Sequence, residues 1–205
     1  MTNPLTINNS VSASSPSIVN AAGGNSYFGG SSCAGMFAKG GESTFYAGAM
    51  FTAQQYLVAN ARANAQKVII LLSDGDANGG KMGASSANLN DSGASKGTYP
   101  SSSKQCQQAI DVATAAKAAG TKIYVVGYGV ASGGCGTDIG LTACSVLRSI
   151  ASADKNFFVD TGIVSCAGAT SVVMNGKTNS LSAIFTAIVG DLALPRLVPN
   201  TIPFT

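Results

Sequence analysis

The chain has no histidine and no tryptophan among its 205 residues. The missing imidazole excludes several chemistries. There is no Ser-His or Cys-His nucleophile pair, no histidine general acid, no imidazole-bound zinc and no histidine pH switch. Charge is also scarce. Lys and Arg number 12, Asp and Glu 9, and together they make 10% of the chain with a net charge of +3. Globular domains usually carry about 25% charged residues, so Ser, Thr, Asn, Gln and Gly must cover this surface. No Lys/Arg cluster occurs, which speaks against a nucleic-acid partner. The five cysteines contain no CxxC, and no GxxxxGK[ST] or GxGxxG precedes a helix. The longest apolar stretch, residues 180–195, is broken by Asp191 and Pro195. It falls short of the ~20 residues a membrane span needs, so an amphipathic core helix is expected. Residues 1–20 are polar and rich in Ser and Asn, unlike a secretory signal. The low charge and the cysteines nevertheless suit an extracytoplasmic setting. Both facts fit the C-terminal part of a longer exported protein, with its anchor upstream.

What is present alternates between two periodicities. Residues 1–41 are loop-like, with SASSPS and AAGGNSYFGGSSCAG as the clearest segments. Tyr46, Ala49, Met50, Ala53 and Leu57 recur at helical spacing, so a helix is expected over about 42–60, capped by Ser43 or Thr44. The run KVIILL, residues 67–72, suits a strand buried on both faces, as in a parallel sheet. A polar loop follows over 73–102, far longer than the usual ~4–6 residues. Ser102 and Gln105 fit a capping box for a helix with Cys106, Ala109, Ile110, Ala113 and Ala116 inward, stopped by Gly120. A second strand is expected at 121–130, a short helix near 141–152, a third strand at 156–160 and a last helix near 179–192. Residues 193–205 read as an extended tail. Strands alternating with helices predict an α/β fold: three layers, a parallel sheet with helices on both faces. Three strands are few, so the domain looks truncated at its N-terminus.

The sharpest local motif is Ser73-Asp74-Gly75-Asp76-Ala77-Asn78-Gly79, directly after the first strand. Three readings compete. D-x-D-x-N-G matches the opening of a calcium loop, although its twelfth position is Ser85 rather than Glu. Asp, Asn and Gly also simply turn a chain. The third reading is a divalent-metal site at the carboxyl end of the sheet, where ligands of open α/β folds gather.

VIILLSDGDAN resembles the fourth-strand segment of von Willebrand factor type A domains, where a buried strand ends in a (T/S)-D-G turn. GGESTFYAGAMFTAQQYL resembles the segment that brings a threonine to the same metal-ion-dependent adhesion site, and Thr44 takes that position. TKIYVVGYGV and NFFVD resemble later strands, so the resemblance covers about residues 40–192. CAGMFAKGGESTFYAGAM, QCQQAI and ACSVLRSIAS look most like the TadG-like proteins of tight-adherence (Flp) pilus assembly. The resemblance implies Thr44, Asp74 and Asp76 as metal-site residues and Mg²⁺, or Mn²⁺ or Ca²⁺, as the ion. The family's D-x-S-x-S is missing; the nearest string, Asp91 to Ser95, has Gly93 where serine is required and follows the wrong strand. Mg²⁺ wants six oxygens, so weak or no binding is expected here.

The cysteines carry a separate inference. Cys33, Cys106, Cys135, Cys144 and Cys166 all fall in or beside strand-to-helix connections, which lie at one edge of a parallel sheet. The pairings Cys33–Cys106 and Cys135–Cys144 are expected, with Cys166 free; five reduced thiols are the alternative. Asp111 is expected to be solvated, Asp160 to serve a turn, and Asp154 and Asp191 to sit at the surface or cap helices. The function expected is a non-enzymatic module that presents its strand-end loops to a protein partner. A calcium-stabilised domain and a divalent-metal hydrolase are the alternatives.

Overall fold

The computed structural model describes residues 44–73, 75–78, 104–130, 133–135, 138–160 and 166–193. The loop-rich segment 1–41, most of the 73–102 loop and the tail beyond 193 lie outside the described residues. Unbroken apolar runs form the strands. β1 is Val68–Ser73, β2 Lys122–Gly127 and β3 Phe157–Val159, joined in one parallel sheet of order β1-β2-β3. Val68 lies opposite Lys122, and Val125 lies between Leu71 and Phe157. Parallel neighbours require crossovers, and helices occupy them. α1 (Tyr46–Asn60) precedes β1, α2 (Gln105–Ala118) links β1 to β2, α3 (Ala143–Ile150) links β2 to β3, and α4 (Leu181–Ala193) comes last. The chain is therefore α/β.

Side-chain alternation along β2 divides the core. Ile123 and Val125 join a cluster with Met50 of α1, Val112 of α2, Leu147 of α3 and Phe157. Tyr124 and Val126 join a second cluster with Phe158 and with Ile184 and Ile188 of α4. The side chains of Ile123, Tyr124, Val125 and Val126 are fully buried, the aliphatic ones each worth about 1.5–3 kcal/mol on transfer from water. β2 therefore meets the expectation of a strand covered on both faces. β1 does not: Ile70 is 41% and Leu72 50% exposed. Among the described residues β1 has one sheet neighbour, and the second cluster is built on β2 and β3 with only Val68 reaching it from β1.

Helix ends depart from the sequence expectations. α1 begins at Tyr46 with Phe45 at the cap position and no side-chain cap. Its buried face includes Tyr46, Ala47, Met50 and Phe51, while Ala49 is exposed. α2 has Lys104 at its cap position and likewise no side-chain cap of its own; Ser102 lies outside the described residues. α3 has the capping box instead, with Ser145 N–H on Thr142 Oγ1 at 3.2 Å and Thr142 N–H on Ser145 Oγ at 2.9 Å. A hairpin not anticipated from the sequence pairs β4 (Val173–Met174) with β5 (Lys177–Thr178). Its turn is Asn175-Gly176, with φ of 53° and 74°. Positive φ at both central residues is what a two-residue hairpin turn needs, and Asn-Gly is the dipeptide that adopts it most readily.

Candidate functional site

The acidic turn leaves β1 beside the start of α1. Thr44 N–H donates to Asn78 Oδ1 at 2.6 Å, and Asn78 N–H donates to the Thr44 carbonyl at 3.0 Å. A second link is made by the first residue of the helix. The Tyr46 hydroxyl pairs with the Ser73 hydroxyl and donates to the Gly75 carbonyl at 2.6 Å, while Gly75 N–H reaches Ser73 Oγ at 3.3 Å. With the tyrosine's one proton on the Gly75 carbonyl, Ser73 donates to Tyr46, and these three bonds close a ring. The turn and the helix start thus meet through Asn78 and Gly75. Asp74 itself lies outside the described residues.

Asp76 faces the other way along the sheet edge. Its Oδ1 accepts Cys135 N–H at 2.6 Å and stands 3.6 Å from Cys106 Sγ. That sulfur is bonded to Cys135 Sγ, so the approach is a contact rather than a hydrogen bond. Gly134, at φ 102°, lies under Asp76; a Cβ there would stand 3.2 Å from Asp76 Cβ. Asp138 supplies what α2 lacks. It is buried, and its Oδ2 accepts Cys106 N–H at 3.1 Å, capping the helix from the loop after β2. Sequence inspection passed over Asp138. Its only signal is its place between Cys135 and Cys144.

Two disulfides are formed: Cys106–Cys135, with Cα atoms 5.7 Å apart, and Cys144–Cys166, at 5.4 Å. This corrects the expected pairings. All four cysteines do gather at the carboxyl edge, but sheet order decides the partners. β2 adjoins β1, so the loop after β2 meets the α2 start that follows β1. β3 adjoins β2, so Cys166 after β3 meets Cys144 at the α3 start, and Cys166 is not free. Cys33 lies outside the described residues. Two disulfides suit an oxidising, extracytoplasmic setting. No helix among the described residues is long and apolar enough to cross a membrane.

A surface cavity of about 420 Å³ opens at the end of β1, lined by Thr44, Phe45, Tyr46, Leu72, Ser73 and Tyr128 among others. Leu72 and Tyr128 are each half exposed there. Asp160 closes the β3 end of the edge by accepting Gly129 N–H at 2.9 Å, a turn role.

The remaining carboxylates among the described residues are occupied elsewhere. Asp111 accepts from Gln107 at 2.9 Å. Asp154 takes Arg148 in a two-bond fork at 2.8 and 2.6 Å, which holds its pKa below the usual carboxylate range. Asp191 is more than a surface residue: it accepts Lys122 Nζ at 2.7 Å and the Tyr124 hydroxyl at 2.5 Å. Those two hydrogen bonds, Lys122's first, lower its pKa.

Of the three expected metal-site residues, Thr44 is tied by its backbone to the turn and Asp76 is engaged with Cys135. A hard cation prefers an all-oxygen shell. Among the described residues, the acidic and sulfur ligands that converge are Asp76, Cys106 and Cys135, with ligand atoms within 4.8 Å of one another. That set suits Mg²⁺ poorly. Comparison with family models, with curated proteins and with solved structures finds no match.

Proposed function

We propose that the chain is a non-enzymatic protein-recognition module, similar in architecture to a von Willebrand factor type A domain and built in three layers. It acts at the cell surface, in adhesion or in assembly of a tight-adherence pilus, as part of a longer exported protein. The single observation that carries this reading is the Thr44–Asn78 pairing, which sets the acidic turn against the helix start at the rim of the sheet. The rim has what protein recognition uses. Leu72 and Tyr128 offer apolar area beside the hydroxyls of Thr44 and Ser73, and tyrosine is enriched where interfaces bind most strongly. The disulfides and the hydrogen-bonded turn hold the loops in place before a partner arrives, which lowers the ordering cost of binding. A hydrolase using Asp76 has less support, because Cys135 N–H holds that carboxylate against a disulfide.

Photo-crosslinking in cells tests the reading. A benzophenone side chain replacing Tyr128 is expected to give a discrete adduct that mass spectrometry identifies as an envelope or pilus protein. The same probe replacing exposed Thr114, on α2, is expected to give none. Equal labelling from both positions, or none from position 128, counts against it.

A further inference from the structure

We propose that Asp76, Cys106 and Cys135 form a binding site for one soft divalent cation, of the zinc or cadmium type, whenever the Cys106–Cys135 bond is reduced. The site is independent of the recognition surface and does not rest on that reading.

The ligand atoms already converge within 4.8 Å of one another. A tetrahedral cation with bonds of about 2.3 Å to sulfur and about 2.0 Å to oxygen spaces an S,O pair of ligands about 3.5 Å apart. Cys106 Sγ and Asp76 Oδ1 stand 3.6 Å apart. The two sulfurs would have to separate to about 3.8 Å. Both cysteines are buried, so Cys135 makes this excursion from the loop side, where its neighbour Gly134 is exposed and carries no side chain.

What keeps the group together without the S–S bond is its backbone anchoring. Cys106 N–H is held by Asp138 Oδ2 at 3.1 Å, and Cys135 N–H by Asp76 Oδ1 at 2.6 Å. Neither bond depends on the sulfurs. A carboxylate has about four lone-pair sites, so Asp76 can keep Cys135 N–H and still bind an ion. Cys106 lies in the first turn of α2, where the helix dipole favours negative charge. Two thiolates and one carboxylate exceed the charge of a divalent ion by one, so the filled site is singly negative, and water completes the fourth position.

The chemistry balances with a phosphine as reductant. The phosphine takes the oxygen of one water, and the two hydrogens of that water end on the two sulfurs. The incoming cation then displaces both thiol protons to solvent.

The full chain, reduced with a phosphine, is titrated with Cd²⁺ and pulsed with an alkylating agent, and each cysteine is scored by mass spectrometry. One equivalent of Cd²⁺ is expected to shield Cys106 and Cys135 while Cys144 and Cys166 alkylate as before, with helical circular dichroism retained or regained. Asp76→Asn is expected to weaken that shielding at least tenfold. An unfolded chain would favour its nearest pair in sequence, Cys135 and Cys144, so the identity of the shielded pair reports the folded site. Shielding of any other pair, no shielding, or full shielding in Asp76→Asn overturns the proposal.

Discussion

Gly133 and Gly134 are neighbours with opposite requirements, and replacing each with alanine separates backbone strain from mere loop position. Gly134 has φ 102°, and a Cβ there meets Ala143 Cβ at 3.2 Å, Asp76 Cβ at 3.2 Å and Asp76 Cγ at 3.3 Å. Gly133 has nothing within 4 Å of that position among the described residues. Placing an L-residue at positive φ costs about 1–2 kcal/mol. Relief of the crowding displaces Asp76 and weakens its bond to Cys135 N–H, a loss of about 1 kcal/mol. The unfolded chain loses freedom when glycine becomes alanine, which returns about 0.4–1 kcal/mol. Gly134→Ala is therefore expected to destabilise by about 2 kcal/mol, and Gly133→Ala to be neutral or stabilising by up to about 1 kcal/mol. Urea unfolding followed by fluorescence and circular dichroism reads both. With slopes of about 1–3 kcal/mol/M, Gly134→Ala should lower the midpoint by roughly 1 M. The reasoning fails if Gly134→Ala lies within about 0.5 kcal/mol of the parent, or if the two variants unfold together.

Three further outcomes are expected. The disulfide loops span 29 and 22 residues and do not overlap, so Cys106→Ser/Cys135→Ser should cost about 3.6 kcal/mol, Cys144→Ser/Cys166→Ser about 3.4, and the four-fold variant their sum; chemical denaturation of the three checks this, and a sub-additive total would show the loops to be coupled. Asp191 has a folded pKa below its unfolded one, so its contribution is fully present above an unfolded pKa of about 3.9 and is lost as pH falls through the lower folded value. Asp191→Asn should thus destabilise at neutral pH and flatten the acid limb of a stability–pH curve, and an unchanged limb would refute it. Calorimetric titration with Mg²⁺ or Mn²⁺ should show no saturable binding below millimolar concentration; tighter binding abolished by Asp74→Ala would show that the oxygen-ligand site is complete after all.

The three strands were legible because apolar runs without a polar break have few other fates, and β2 in particular is buried as KIYVVG suggests. β1 misled because an apolar strand reads the same whether its second face is covered or open; only the neighbours decide, and those are tertiary facts. Helix ends were less legible for a related reason. The expected cap at Ser102 lies outside the described residues, and Cys106 N–H at the start of α2 is held by Asp138, distant in sequence and brought near by the β1-β2 pairing. The cysteines' common edge followed from the parallel topology, whereas their partners required strand order, which no spacing encodes. The Asn175-Gly176 turn was readable and was passed over, since its strands are only two residues each. Asp76 was visible as an acidic turn residue; that it turns toward Cys135 rather than toward Thr44's side of the rim was not.

The placement of the two bridges also shapes the response of this domain to a pull on its ends. Cys106–Cys135 encloses β2 and Cys144–Cys166 encloses β3, while β1 lies within neither loop. Tension on the chain therefore extends the elements outside both loops, α1, β1 and α4 among them, and stops at the bridges. The locked 29- and 22-residue segments withhold roughly 100 and 75 Å of extension at ~3.3–3.6 Å per residue. The force then runs through the sulfur bonds and the short stretch from Cys135 to Cys144 between them, so the stretched chain keeps two tethered β segments.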